Sequence, residues 1–237
     1  MQIFLLGDSL AKGVMFDKEK GRFSLLRESF YNLLRPKFRT EVVNISRLGR
    51  TLSDARAALE QRLLISKPRA VAIELGGNDC DFNWEEVAKE PQAKHECKTP
   101  FAQFEQGIRD MVARLRRENI MSFLINLPPI DADRYFRFIS RGDPGMEKGI
   151  LSFLGSVTHI YWWHERFSSV IGKIANETGT SLIDIRSRFL YQEDYREYLC
   201  DDGIHPNEKG HKLIAESIHE FMMKNFSYIL VTGNAIG

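Results

Sequence analysis

The sequence has little of several features that direct a chain toward specialised functions. Its three cysteines, Cys80, Cys97 and Cys200, are an odd number and do not have the spacing of a metal site. We expect free thiols in a reducing compartment rather than a disulfide framework. Lys and Arg number 33 against 32 Asp and Glu, which leaves a net charge of +1. This balance, without long blocks of like charge, gives no indication of nucleic-acid binding.

Long apolar runs are also absent from the sequence. Only four apolar residues, Ile3–Leu6, precede Gly7, and this run is too short for the apolar region of a signal peptide. No other stretch approaches the length that a membrane-spanning helix needs. We therefore expect a soluble, cytoplasmic protein without integral membrane association.

What the chain does contain is a regular alternation of apolar segments and helical patterns. Such alternation predicts βα units and a parallel sheet. The segments are short and rich in Val, Ile, Leu and Phe, which is typical of strands buried on both faces. They are Gln2–Leu6, Glu41–Ile45, Ala70–Leu75, Met121–Asn126 and Ser181–Ile185. We predict an α/β fold, a flavodoxin-like three-layer α/β/α sandwich with a mainly parallel, five-stranded sheet.

Several helices have recognisable ends in the sequence. The stretch TLSD at Thr51–Asp54 predicts a capping box at the start of a helix that ends before Pro68. The pair Thr99-Pro100 predicts a cap followed by proline at the first helical position. We also expect a helix near Ser24–Leu34 and a last helix that begins near Asn207.

The length of 237 residues fits one domain, which we predict to span residues 1–237 without a linker or an internal repeat. Two connections, at about 80–98 and 128–158, are longer than the alternation of strands and helices requires. Long connections in compact domains often have functional roles. Both insertions leave from the carboxyl ends of predicted strands, where open parallel sheets bind ligands. We therefore expect both of them to border the functional site.

Three short motifs contain residue types that are suited to acyl transfer. The motifs GDSL at Gly7–Leu10 and GGND at Gly76–Asp79 each follow a predicted strand directly, and DGIHP at Asp202–Pro206 precedes the last helix. A serine hydroxyl needs an adjacent base to act as a nucleophile, and Ser9 and His205 are the candidates for these two roles. The alternative interpretation of Ser9 is a cap of the helix that follows it.

Together these motifs resemble the GDSL or SGNH hydrolase family of serine esterases and lipases. The resemblance extends from position 3 to about 225 and includes four marker residues, Ser9, Gly49, Asn78 and His205. Gly49 ends the stretch NISRLG at Asn44–Gly49, which is similar to the second sequence block of the family. The resemblance implies an enzyme that hydrolyses carboxylic esters through an acyl-enzyme on Ser9.

The resemblance also implies an acid partner for the candidate base. Asp201 and Asp202 both lie close to His205 in the sequence, and the Asp-x-x-His spacing of the family selects Asp202. In this arrangement His205 is the general base. Asp202 accepts the second imidazole N–H and orients the ring.

An acyl-transfer site also requires hydrogen-bond donors for the oxyanion. The sequence has no G-x-S-x-G motif and only eight residues before Ser9, which excludes the α/β-hydrolase arrangement. The candidate donors are the backbone amides of Ser9 and Gly49 and the side-chain amide of Asn78. For Gly49 the alternative interpretation is a plain turn before the helix that follows.

Aromatic residues in and after the two insertions are candidates for substrate contact. Trp84 lies in the first insertion, and Trp162 and Trp163 follow the second. The alternative is that these rings seal the insertions against the body of the domain. Cys80 and Cys200 lie one or two residues from the motifs, and we expect both to be buried free thiols.

The predicted substrate is a small ester or a carbohydrate O-acetyl ester, with no metal and no organic cofactor. The alternatives within the same mechanism are a lysophospholipase, a thioesterase, or acyl transfer to an acceptor other than water. A non-catalytic alternative is a phosphate- or nucleotide-binding module that holds its anion at the start of the helix after Gly7. The expected partner is a small-molecule ester and not a nucleic acid, and homo-oligomerisation stays open.

Overall fold

The computed structural model describes residues 2–231 of the chain. Its strands are β1 Gln2–Gly7, β2 Val14–Asp17, β3 Arg22–Leu25, β4 Glu41–Asn44, β5 Ala70–Glu74, β6 Met121–Ile125 and β7 Ser181–Ile183. Within this range one parallel sheet has the order β4-β1-β5-β6-β7. This is the flavodoxin-like order, in which the progression of the chain reverses between β1 and β5. The predicted fold class and its strands are confirmed, with ends that shift by one or two residues.

Helices connect the strands and cover both faces of the sheet. They are α1 Ser9–Lys12, α2 Phe30–Leu34, α3 Leu52–Ile65, α4 Trp84–Lys89, α5 Phe101–Arg117, α6 Ala132–Ser140, α7 Pro144–Leu154, α8 Thr158–Thr178, α9 Arg186–Leu190 and α10 Glu208–Phe226. Asn207 caps α10, because its side chain accepts the N–H of Gly210 at 3.1 Å. The predicted start of the last helix is therefore confirmed.

The apolar residues of the strands alternate between two cores, one on each face of the sheet. Phe4 and Leu6 of β1 pack with residues of α3, α5 and α8, whereas Ile3 and Leu5 pack with residues of α2, α9 and α10. This alternation follows from the two-residue repeat of a strand. Each fully buried Leu, Ile or Phe stabilises the fold by about 2 kcal/mol relative to an exposed one. The sheet is thus the middle layer of a three-layer sandwich, as predicted.

The segment between β1 and α2 differs from the prediction. The helix expected near Ser24–Leu34 covers only Phe30–Leu34, because Arg22–Leu25 pairs with Val14–Asp17 as an antiparallel hairpin. Asp17 closes the turn of this hairpin, since its carboxylate accepts the N–H of Lys20 at 3.1 Å. The hairpin β2–β3 is a separate two-stranded sheet that the alternation of strands and helices does not require.

Two predicted helix caps are wrong. Thr51 occupies the N-cap position of α3 but makes no side-chain capping bond among the described residues, and Pro100, not Thr99, occupies the N-cap position of α5. The buried Asp79 instead accepts the N–H of Leu52 at 2.8 Å and the hydroxyl of Thr99 at 2.5 Å. An acceptor that is distant in sequence therefore replaces the local cap of α3, and the same carboxyl group engages the Thr99 hydroxyl predicted to cap α5.

The two long connections are largely helical. The segment 80–98 contains α4, and the segment 128–158 contains α6 and α7. Helices α4 and α7 approach so closely that a Cβ added at Gly149 would lie 2.2 Å from the carbonyl oxygen of Ala88. Trp84, Ile130 and Ile150 belong to a third apolar cluster, which the two segments form with the start of α8. The division of the chain into one domain with two insertions stays a prediction.

The cysteines lie inside the fold. Within residues 2–231 Cys80, Cys97 and Cys200 are buried and free. Burial raises the pKa of the Cys80 thiol well above its ordinary value and the pKa of Cys200 to about 11. Both side chains are therefore protonated and unreactive at neutral pH.

In the same range of residues, no helix combines the length and the apolar character that crossing a membrane requires.

Candidate active site

Ser9 lies at the edge of the sheet where the strand order reverses. Gly7 ends β1, and Ser9 is the first residue of the short helix α1. Asp8 caps this helix, because its Oδ1 accepts the N–H of Leu10 at 3.0 Å. The alternative interpretation of Ser9 as the cap is therefore wrong, and the Ser9 hydroxyl is available for another contact.

That contact is the imidazole of His205. Ser9 Oγ lies 3.0 Å from His205 Nε2, and His205 Nδ1 lies 2.6 Å from Asp202 Oδ2. All three side chains are buried. The neighbouring Asp201 is exposed and lies 3.3 Å from Nζ of Lys18. A buried carboxylate, imidazole and hydroxyl in this sequence of hydrogen bonds are suited to proton transfer to and from the hydroxyl oxygen.

The loop before α10 has a backbone that only glycine accommodates at one position. Gly203 has a φ of 78°, and a Cβ there would lie 2.5 Å from the carbonyl oxygen of Asp131. This turn brings Asp202 Oδ1 within 3.1 Å of the N–H groups of Ile204 and His205, and both donate to it. One aspartate oxygen therefore holds the loop, and the other holds the imidazole.

The other candidate oxyanion donors follow β5 and β4. Asn78 comes after β5, donates from Nδ2 to Asp8 Oδ2 at 3.0 Å, and lines the same cavity as Ser9. Gly49 lies in the exposed loop after β4 with a φ of 72°, and a Cβ there would have no described heavy atom within 4 Å. Its neighbour Leu48 lines the cavity. The structure thus brings Asn78 to the serine, while Gly49 lies in the adjoining loop.

Buried carboxyl groups cluster beside the Ser9 turn. Glu74, the last residue of β5, lies near Asp8 and is 1% exposed. Burial raises the pKa of Asp8, and burial together with the charge of Asp8 raises the pKa of Glu74 well above its ordinary value. Burial also raises the pKa of Asp79 to about 6. Glu74 is not among the predicted site residues, although an acidic residue inside the apolar run Ala70–Leu75 is a visible signal.

A cavity of about 610 Å³ opens beside Ser9 and His205. Trp84, Trp162 and Trp163 all line it. Trp84 is buried and donates its indole N–H to Asp81 at 2.7 Å, whereas Trp162 is more than half exposed. Most of the other lining side chains are apolar or aromatic. Those from the two insertions and the start of α8 include Phe82, Ile130, Tyr135, Phe153, Leu154 and Ile160.

Phe23 of the hairpin β2–β3 lies in the site, although it is not among the predicted site residues. Phe23 lines the cavity, and its ring lies edge-on to the His205 imidazole with 5.2 Å between ring centres. Phe23 also contacts Phe138 of α6, with 6.2 Å between ring centres. The available signal is a pair of short segments separated by a turn that contains Gly21, which is typical of a hairpin.

The cavity also contains a buried histidine on α8. His164 lines the cavity, and its Nδ1 has no hydrogen-bond partner among residues 2–231. Burial, together with the charge of Arg186, lowers the pKa of His164 to about 3, so the ring is neutral at pH 7. Across the described part of the chain, no three His, Cys, Asp or Glu side chains group in a way that could hold a metal ion.

Comparison with families of known proteins gives a match over most of the chain. The model of the GDSL-like lipase/acylhydrolase family matches residues 5–213. The thioesterase 1/protease 1/lysophospholipase L1 of Escherichia coli is 26% identical over 216 residues, which are 90% of this chain and 79% of that protein. The esterase TesA of Pseudomonas aeruginosa is 30% identical over 141 residues, which are 59% of this chain and 61% of that protein.

Solved structures share the architecture. The crystal structure of a lipase/acylhydrolase from Enterococcus faecalis matches with a TM-score of 0.67 and 19% identity, and the match covers 99% of each chain. At this identity the likeness concerns the fold alone.

Proposed function

The chain belongs to the GDSL-like lipase/acylhydrolase family and is a GDSL-type esterase, and on this premise we propose that it cleaves carboxylic esters through an acyl-enzyme on Ser9. One observation carries the proposal. Hydrogen bonds of 2.6 and 3.0 Å connect the Asp202 carboxylate to the Ser9 hydroxyl through the His205 imidazole. These hydrogen bonds offset the cost of burying the polar groups. They also hold the Ser9 hydroxyl against His205 Nε2, the nitrogen that would accept its proton.

In the proposed mechanism, His205 Nε2 takes the Ser9 proton as Oγ attacks the ester carbonyl carbon. Asp202 accepts Nδ1–H, keeps the tautomer with a free Nε2, and stabilises the imidazolium. The imidazolium protonates the leaving alkoxide. His205 then takes a proton from water, which attacks the acyl-enzyme and releases the acid and Ser9.

The proposed oxyanion donors are the Ser9 N–H, the Gly49 N–H and the Asn78 side chain. The N–H of Ser9 belongs to the first residue of α1 and has no acceptor within that helix. Asn78 has two hydrogens on Nδ2, and the hydrogen bond to Asp8 uses one of them. Each donor of this kind contributes about 3 kcal/mol to stabilising the transition state.

We propose an apolar acyl group rather than the carbohydrate ester expected from the sequence. The polar atoms of Trp84 and Tyr135 in the cavity wall are already bonded to Asp81. A sugar hydroxyl buried against this wall without a partner would cost about 1–3 kcal/mol. Each buried methylene of an acyl chain gains about 0.8 kcal/mol. The name of the Escherichia coli relative includes thioesterase and lysophospholipase, which agrees with this substrate class.

A chain-length series tests the substrate class. We expect kcat/KM for para-nitrophenyl esters from acetate through butyrate and octanoate to laurate to rise by up to about fourfold per methylene until the cavity is filled. Acetylated xylose and acetylated glucose should be poor substrates. If the acetylated sugars are the best substrates, the carbohydrate ester expected from the sequence replaces this proposal.

Labelling with a fluorophosphonate probe tests the nucleophile. We expect mass spectrometry to find the label on Ser9 and to find none on the Ser9→Ala variant, which should also lose nearly all ester turnover. Ser217→Ala is the matched control. Ser217 is a buried serine on α10, and its Oγ donates to the carbonyl oxygen of Asp184 at 3.4 Å. Folded wild type without label, or an active Ser9→Ala, would refute the hydrolase mechanism and favour the phosphate-binding alternative.

Further parts of the proposal concern the chain as a whole. We propose that residues 1–237 act as one domain, because α4, α6 and α7 of the two insertions all contribute to the cavity beside Ser9. Product analysis with added alcohols would separate hydrolysis from acyl transfer. The cytoplasmic location stays a prediction, and homo-oligomerisation stays open.

A further inference from the structure

A buried carboxyl group lies directly beneath the turn that carries Ser9. Glu74 ends β5 and is the partner of Gly7 in the register of β1 and β5. Its Oε2 accepts the N–H of Asp8 at 3.4 Å and the N–H of Ala11 at 3.3 Å. These two amides lie on either side of Ser9 in the chain. One carboxyl group therefore holds both sides of the nucleophile turn.

Asp8 connects this carboxyl group to Asn78. Asp8 Oδ1 accepts the N–H of Leu10 at 3.0 Å, and Asp8 Oδ2 accepts Nδ2 of Asn78 at 3.0 Å. The carboxyl groups of Asp8 and Glu74 are also close enough for each to change the pKa of the other. A continuous path of hydrogen bonds thus leads from Glu74 through Asp8 to the Asn78 amide.

The surroundings of the pair favour one proton shared between two carboxyl groups. Burial raises the pKa of both groups, and the charge of Asp8 raises the pKa of Glu74 further. The other titratable groups that face the pair are Asp79 and His205. The charge of Asp8 raises the pKa of Asp79, and the charge of His205 lowers the pKa of Asp8. Two buried carboxyl groups in contact do not both ionise at neutral pH. Because the pKa of Glu74 is raised further than that of Asp8, the shared proton favours Glu74, whose O–H would then donate to the Asp8 carboxylate.

We propose that uncharged Glu74 is a positioning residue that holds Asp8 and, through Asp8, aims the Asn78 amide at the oxyanion. The inference rests on the proposed function, in which Asn78 is an oxyanion donor. The Asp8 carboxylate accepts hydrogen bonds from Leu10 and Asn78, and in the proposed state the Glu74 O–H is the third donor that fixes its rotation. Without the Glu74 donor, the carboxylate that holds Asn78 is free to turn.

The consequence for catalysis is specific. An oxyanion forms only in the transition state, so a misplaced Asn78 lowers kcat and leaves KM nearly unchanged. When the pH rises above the raised pKa of Glu74, this group loses its proton, the donor to Asp8 disappears, and a second negative charge arises beneath Ser9. The kcat of the wild type should therefore fall at alkaline pH. A variant whose side chain at position 74 cannot ionise should not show this fall.

The test compares Glu74→Gln and Glu74→Leu with the wild type by measuring kcat and KM from neutral to alkaline pH. Glutamine keeps an acceptor for the amides of Asp8 and Ala11 and a donor for the Asp8 carboxylate, but it does not ionise. We expect Glu74→Gln to keep kcat within about threefold at neutral pH and to lose the alkaline fall. Glu74→Leu should lose about 10²-fold in kcat, with KM within about twofold.

Glu41→Gln on β4 is the matched control and should keep the wild-type pH profile. If the wild type and Glu74→Gln give the same profile, flat or falling, the inference is overturned. The same holds if folded Glu74→Leu has the kcat of the wild type. Should Glu74→Leu not fold by circular dichroism, the Glu74→Gln profile decides. An active Ser9→Ala variant would instead refute the proposed function, which separates the two failures.

Discussion

His205 Nε2 lies 3.0 Å from Ser9 Oγ, although 196 positions separate the two residues in the sequence. The contact depends on the packing of α10 against the first strand, because Ile214 of α10 and Ile3 of β1 belong to the same apolar core. The site is therefore complete only when the two ends of the chain pack on one sheet. Activity in this protein reports on the folding of nearly the whole chain.

Replacement of Asp202 by asparagine should lower kcat by about 10³-fold or more, with a small change in KM. The asparagine fits the same space, but it removes the charge that stabilises the imidazolium and allows the wrong tautomer of His205. Steady-state kinetics on a para-nitrophenyl ester measures the effect.

Asp201→Asn is the control for this variant, because Asp201 is the adjacent carboxylate and is exposed. Its kcat should stay within about twofold of the wild type, as is usual for the loss of an exposed ion pair. Equal losses in Asp201→Asn and Asp202→Asn would show that the choice of Asp202 as the acid is wrong.

Much of the fold could be predicted because buried parallel strands have simple sequences. Segments such as Gln2–Leu6 and Ala70–Leu75 are apolar on both faces, so each apolar run in the sequence marks a strand of the sheet. The caps of α3 and α5 could not be predicted in the same way. Asp79, which belongs to a different segment from either helix, accepts the first N–H of α3 and also binds the Thr99 hydroxyl.

The candidate site shows the same division. Ser9, Asn78 and His205 could be identified because their motifs are short and contiguous, and their chemistry requires particular residue types. Glu74 and Phe23 could not, because their positions beside Ser9 and His205 depend on contacts that only the folded chain provides. Glu74 lies beneath a turn of β1, and Phe23 reaches the imidazole from a hairpin outside the main sheet.

Gly203→Ala should reduce both stability and activity. Gly203 has a φ of 78°, and a Cβ there would lie 2.5 Å from the backbone oxygen of Asp131, so the loop must shift. The shift would move Asp202 away from His205 and lower kcat by about 10²-fold, as misplacements of about 1 Å do in other active sites. The midpoint of urea unfolding and kcat are the two measurements.

Gly155→Ala is the control for Gly203→Ala, because it introduces the backbone strain of a positive φ without the steric clash. Gly155 also has a positive φ, of 74°, but a Cβ there would have no described heavy atom within 4 Å. It should cost about 1 kcal/mol of stability and leave kcat unchanged. A kcat loss in Gly155→Ala as large as in Gly203→Ala would contradict the explanation by the clash.

Phe23→Ala should weaken the binding of long acyl chains. The ring lines the cavity and lies against His205, so its removal exposes bound substrate to water. We expect KM for the octanoate ester to rise by about fivefold, which corresponds to about 1 kcal/mol of lost apolar contact, and KM for acetate to change little. Leu25→Ala on the same hairpin is the control, since Leu25 is exposed and does not belong to the cavity lining. Equal effects on acetate and octanoate would contradict a role in chain-length selection.

His164→Phe should reduce the loss of stability in acid. Burial lowers the pKa of His164 from 6.5 to about 3, so between these values the unfolded chain binds a proton that the folded chain does not. The stability that the neutral His164 ring contributes is therefore fully present above pH 6.5 and is lost as the pH decreases toward 3. At pH 5 the loss from one such histidine is about 2 kcal/mol. His211, whose pKa burial lowers to about 4, adds a similar loss that the variant retains.

The measurement is the free energy of unfolding in urea at pH 7.5 and at pH 5. Any change in packing that the substitution causes alters both values equally and cancels in their difference. We expect this difference to be about 2 kcal/mol smaller in His164→Phe than in the wild type. Ile160→Val, at another buried position of the cavity wall on α8, changes packing without changing protonation and should keep the wild-type difference. An unchanged difference in His164→Phe would mean that the folded protein accepts the proton, and that the His164 ring is not held neutral by its burial.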